Sequence, residues 1–153
     1  MAHLISILLF FISASAYACP DLTGTYICNQ GDPKWEHQVQ FTKLNKNSFD
    51  LIRELNSGGV WKNKIIADGV EKKDYIRSNY YTDIYTTASC DSTALIRTTR
   101  SENIEEVLKV GMLNVTTHKI YSLDHEGNLR YASYNLFSDG KSNSFIKTCK
   151  RIN

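Results

Sequence analysis

The chain has 153 residues, with 18 lysines and arginines against 16 aspartates and glutamates and a formal net charge of +2. A balance this even excludes a nucleic-acid binder driven by phosphate neutralisation, which would carry a basic stripe. The densest basic stretch, Lys62, Lys64, Lys72 and Lys73, is interrupted by Asp68, Glu71 and Asp74 and reads as a solvated face.

From Leu4 to Ala18 there is no charged side chain, and Leu4 to Ile12 form a compact apolar run. That run is shorter than the roughly 20 residues a membrane span needs. Ala16-Tyr17-Ala18 follows as an A-x-A cleavage site, so residues 1–18 are predicted to be a signal peptide and 19–153 a single secreted or periplasmic domain. Cys19 directly after the cut raises a second reading, a lipid anchor. Ala16 stands where a lipoprotein signal usually has Leu, and acylation would leave an odd number of cysteines.

Beyond the signal, short alternating segments rich in Thr, Tyr, Val, Ile and Phe are separated by turn residues, the pattern of an all-β sandwich or barrel. Leu22 to Cys28 is the first segment, closed by Asn29-Gln30-Gly31-Asp32-Pro33. The second sets His37, Val39 and Phe41 on one face against Gln38, Gln40 and Thr42 on the other, a period of two. Asn45-Lys46-Asn47 turns the chain into Phe49, Leu51, Arg53 and Leu55, and Asn56-Ser57-Gly58-Gly59 turns it again before Trp61. Asp68-Gly69 is a hairpin signal. Tyr75 to Cys90 reads as one strand, or two broken near Asn79, with Ile76, Thr82, Ile84, Thr86 and Ala88 facing inward. A further strand runs from Thr93 to about Arg100. Over Glu102 to Val115 the spacing of Ile104, Val107, Leu108 and Met112 is helical, and Thr99 with Glu102 resembles a capping box. Gly111 inside the pattern favours a strand there, with one short helix near 102–110 as the alternative. Ile120 to Leu123 and Leu129 to Phe137 flank an Asp124–Asn128 turn, and a last strand covers about Asn143 to Ile152. The sum is one body of about eight to ten antiparallel strands.

The four cysteines, Cys19, Cys28, Cys90 and Cys149, are even in number and too far apart for a zinc knuckle or a redox C-x-x-C pair. They are predicted to form two structural disulfides, with three connectivities open.

No G-x-S-x-G, H-E-x-x-H, G-x-G-x-x-G, phosphate-binding loop or EF-hand loop is present, so the domain is predicted not to be an enzyme and to need no cofactor and no metal. His125 lies between Asp124 and Glu126, but three adjacent residues of a tight turn do not converge on one ion. Glu36 and His37 are strand neighbours pointing to opposite faces. Asn114-Val115-Thr116 is a glycosylation sequon, of consequence in a eukaryotic secretory pathway. Nine tyrosines and two tryptophans suit strands as well as pockets.

Leu22-Thr23-Gly24-Thr25-Tyr26 resembles the G-x-W opening strand of lipocalins and their calycin relatives, including avidin-like barrels. The resemblance implies an up-and-down β-barrel closed at one end by Gly24 and Tyr26, with Lys147, Lys150 or Arg151 packing across the ring. It also implies pairing of the first and last strands, Cys19 bonded to Cys149 and Cys28 to Cys90. The function expected is binding of a small apolar or amphipathic ligand in the barrel interior, by residues the sequence does not assign. The alternative is a secreted or envelope-associated structural or interaction protein, with a protein partner or an inhibitory role.

Overall fold

Alternation of apolar and polar residues governs the chain from Gly24 to Arg151, and the alternating segments are strands. The structure is a computed structural model that describes residues 18–28, 37–55, 57–75, 82–103, 111 and 113–152. The signal segment as far as Tyr17, the Asn29–Pro33 turn, Glu36, the break near Asn79 and the helix alternative over 104–110 lie outside the described residues.

Among the described residues there are ten strands: β1 Gly24–Cys28, β2 His37–Asn45, β3 Ser48–Leu55, β4 Val60–Ile66, β5 Lys72–Tyr75, β6 Thr82–Cys90, β7 Ala94–Asn103, β8 Val115–Leu123, β9 Leu129–Phe137 and β10 Ser142–Arg151. Every pairing is antiparallel, and the order β4-β3-β2-β1-β10-β9-β8-β7-β6-β5 makes an up-and-down sheet that joins β1 to β10. This is the all-β, barrel-type meander expected. Among the described residues no helix is long and apolar enough to cross a membrane.

Tight connections carry the meander. Asp91 Oδ1 accepts from the Thr93 and Ala94 amides, Asp124 Oδ1 from those of Glu126 and Asn128, and Asp139 Oδ1 from that of Lys141. Each carboxylate thus substitutes for a backbone acceptor at the start of its turn. The Asp68-Gly69 turn also forms, with Gly69 at φ 72°, but it does not make the expected hairpin: β4 and β5 are the two edges of the sheet. The Gly69 amide donates to Ala88 O on β6 instead, which brings the connection across an open seam. Thr99 and Glu102, read as a capping box, both lie within β7.

The core runs along one face of the sheet and includes Leu22, Tyr26, Cys28, Val39, Phe41, Phe49, Leu51, Ile65, Leu95, Tyr121, Leu129 and Cys149. Aromatic contacts thread it: Phe49 to Phe41 at 6.4 Å, Phe41 to Tyr121 at 5.2 Å, a stacked Tyr121–Tyr131 pair at 5.1 Å, and Tyr131 to Phe145 at 5.5 Å. Phe41 on β2 meeting Tyr121 on β8 shows the sheet curling onto itself.

Both disulfides form, with a connectivity other than the one the resemblance implies. Cys19 bonds Cys90 and Cys28 bonds Cys149. The register explains the correction. Tyr26 pairs with Arg151 and Ile27 with Lys150, so Cys28, at the far end of β1, stands opposite Cys149, their Cα atoms 4.1 Å apart. Cys19, ahead of β1, instead crosses the barrel end to β6.

Candidate functional site

Because side chains alternate, the registers define rows on the inner face. One row reads Leu123, Leu129, Cys149 and the next Cys90, Leu95, Tyr121, Tyr131, Lys147. Above them come Ala88, Arg97, Lys119, Ser133, Phe145, and then Lys72, Thr86, Thr99, Thr117, Asn135, Asn143. On the other wall Tyr26, Val39, Arg53 and Trp61 form a row, with Cys28 and Leu55 beside it. The interior is therefore graded, apolar at one end and polar toward the other.

The apolar end is sealed by the segment before β1. Leu22 and Tyr26 are fully buried, and the Tyr26 hydroxyl donates to Leu22 O at 2.9 Å. Burial pushes that phenol's pKa up, with Arg151 pulling the other way. Arg151 is the basic residue beside the ring: its Nη2 donates to Thr23 O at 2.9 Å. A side chain at position 24 would fall 3.0 Å from the Tyr26 hydroxyl and 3.1 Å from Arg151 Nε, and Gly24 leaves that space open. Lys43 Nζ donates to Cys19 O at 2.8 Å. Lys147 lies 4.8 Å over the Phe145 ring, and Lys150 is exposed on the outer face.

Those inward cations all have partners; three others do not. Arg53, Arg97 and Lys119 make no hydrogen bond or ion pair with any described residue, and Arg53 Nε is buried with no partner. Arg97 and Lys119 stand directly opposite each other on β7 and β8, an arrangement that like charges make unfavourable. Lys119 carries the consequence: burial first, then Arg53 and Arg97, lower its pKa from 10.5 to about 8. Burial pushes the Tyr121 and Tyr131 phenols up, and the same two arginines act against that rise.

A cavity of about 20 Å³ adjoins this cluster, lined by Cys28, Val39, Arg53, Tyr121, Leu129 and Tyr131. It has room for about one water-sized group. Farther out the inner face is uncovered: Trp61, opposite Arg53, is 59% exposed, and Leu55 and Phe145 are each 40% exposed. Together these make an apolar approach leading to a buried unpaired cation.

Solved structures similar to this chain include the fluorescent protein UnaG and a mutant of it. The fluorescent protein UnaG aligns with a TM-score of 0.53 at 9% identity, covering 84% of this chain and 96% of its own. A mutant of it aligns at 0.55 and 7%, covering 86% and 96%. The shared fold is an up-and-down antiparallel β meander. The likeness does not single out lipocalins among such folds, and at such identity it speaks to architecture alone. No protein-family model and no curated protein sequence matches the chain.

The sequence-stated sites thus fall in different places. Gly24 and Tyr26 sit together at the sealed end, away from the unpaired cations. His125 projects from the β8–β9 turn, its side chain 90% exposed. Among the described residues no group of His, Cys, Asp or Glu is placed to hold a metal ion. Arg53, Arg97, Lys119 and Trp61 were not singled out by sequence, although Arg53 interrupts the apolar alternation Phe49, Leu51, Leu55 and so announces a cation on an inward face.

Proposed function

We propose that this protein is an exported, non-enzymatic carrier of a small amphipathic ligand whose acidic group is held by Arg53, Arg97 and Lys119. The observation that carries the reading is the buried, unpartnered Nε of Arg53 beside two further unpaired cations on the same inner face. Desolvated positive charge without a counter-charge is costly in the empty protein. An acidic group supplied from outside would relieve that cost. The small volume beside Arg53 suits the head of such a ligand, while its apolar body would rest on Trp61, Leu55 and Phe145. The calycin-type architecture supports this use, since barrels of this size can enclose one small ligand. Two disulfides support folding in an oxidising compartment.

The test is a calorimetric comparison of decanoate with decyltrimethylammonium, two chains of equal length and opposite charge. Decanoate is expected to bind and the cation not to. Equal binding of both, or of neither, would overturn the acidic-ligand reading.

A second reading, an interaction protein, is favoured by the outer face. There the register aligns Ile96, Ile120, Ala132 and Ile146 in one apolar row across four strands, with Tyr134 and Leu136 exposed beside it. Sedimentation at increasing concentration, and capture from the native compartment with and without Ile146→Lys, would test it. A monomer with no Ile146-dependent partner counts against it.

A further inference from the structure

The sheet has one place where neighbouring strands do not pair, the seam between β4 and the β5–β6 edge, and that place is not empty of chemistry. A cavity of about 90 Å³ lies in it, lined by Lys64, Ile65, Lys72, Thr86, Ala88 and Arg97 among others. Its floor is held by the Gly69 amide bonded to Ala88 O. Thr86 contributes a buried hydroxyl oxygen that has no hydrogen-bond partner. Arg97, on the neighbouring strand, has no carboxylate partner among the described residues. Lys72, directly opposite Thr86, is tied to Asp68 at 2.9 Å, the one acidic group among the described residues bonded to a lining residue. Lys64 is exposed.

We infer that this seam binds a small tetrahedral oxyanion of the phosphate or sulfate type. The donors come from three neighbouring strands, an ammonium from β5, a hydroxyl from β6 and a guanidinium from β7, so they approach from several sides. A tetrahedral oxyanion presents acceptors in all those directions, whereas a carboxylate presents two coplanar oxygens. Charge-assisted bonds from Arg and Lys with one neutral hydroxyl are the usual donor set for such an ion. The volume is several times what one water needs. Asp68 offsets Lys72, and Arg97 leaves the seam net positive. The site shares Arg97 with the inner-face cluster but does not rest on the carrier reading.

Thermal unfolding of the disulfide-bonded protein in sodium phosphate and sodium sulfate, against sodium chloride at matched ionic strength, tests it. Saturable stabilisation beyond chloride is expected. Thr86→Val keeps the side-chain shape and removes the donor: it is expected to weaken phosphate binding at least tenfold while leaving the ion-free melting temperature equal or higher. Lys72→Gln should weaken binding as well, and the Arg97 side-chain N–H resonance should shift on titration. Arg53→Met, which leaves the seam intact, should bind phosphate like the parent, so failure here and failure of the carrier reading are separable. Decyl phosphate distinguishes the ion's source: competition at higher affinity than inorganic phosphate assigns a ligand headgroup, and competition at equal affinity assigns a free ion. No stabilisation beyond chloride, or unaltered phosphate binding by Thr86→Val, would overturn the site.

Discussion

Replacing Arg53 by Met removes the guanidinium with its buried Nε while keeping an unbranched side chain. A buried donor without a partner costs about 1 to 3 kcal/mol, and Arg53 Nε is such a donor. The substitution also takes away one of the two arginines that depress the Lys119 pKa. Arg53→Met is therefore expected to stabilise the ligand-free protein by about 1 to 3 kcal/mol. At roughly 3 °C per kcal/mol for a domain of this size, its melting temperature should rise by about 3 to 9 °C. Lys119 should titrate higher than in the parent, still below its ordinary value because burial and Arg97 remain. Decanoate binding should be lost. A gain in stability at the expense of binding is what a functional cation in an apolar wall implies. Circular dichroism melts with and without decanoate read both quantities. A melting temperature that falls by several degrees would show that Arg53 is structurally paired and would refute the reasoning.

Three further outcomes follow from the same geometry. Lys119 holds fewer protons folded than unfolded between about pH 8 and 10.5, so urea midpoints should climb over that window. Above pH 10 the buried Tyr121 and Tyr131 retain protons that the unfolded chain loses, and stability should fall again; a flat profile from pH 8 to 11 contradicts both shifts. Tyr26→Ala should cost about 3 to 5 kcal/mol, because the ring is fully buried, and unchanged unfolding would deny it a role in sealing the barrel end. Peptide mapping should recover Cys19 with Cys90 and Cys28 with Cys149, and opening the second link by a double Cys→Ala change should cost about 2 to 5 kcal/mol; a Cys19–Cys149 peptide would contradict the register of β1 on β10.

Most of the architecture was legible because strands write their burial at a period of two. His37, Val39 and Phe41 announce the inner face of β2, and Thr86 with Ala88 that of β6, and these share the face in the register observed. The Asp-initiated turns were equally plain, since one carboxylate takes the place of a backbone acceptor. What the sequence could not carry was long-range register. The register of β1 on β10 decides which of Cys19 and Cys28 meets Cys149, and nothing local to any of these residues records it. The Asp68-Gly69 turn misled for the same reason: a turn fixes its own backbone, while the partner of the strand that follows is chosen across the barrel. The candidate site was hidden because its members are single cations on β3, β7 and β8. Arg97 and Lys119 look solvated in their own segments, and only pairing places them opposite each other and curling brings Arg53 toward both.

The claim that an acidic ligand completes this interior is best decided by a crystal structure of the protein with decanoate. The carboxylate is expected within hydrogen-bond distance of Arg53 Nε, with the chain lying on Trp61. Decanoate bound elsewhere, with Arg53 Nε still lacking a partner, would contradict the account.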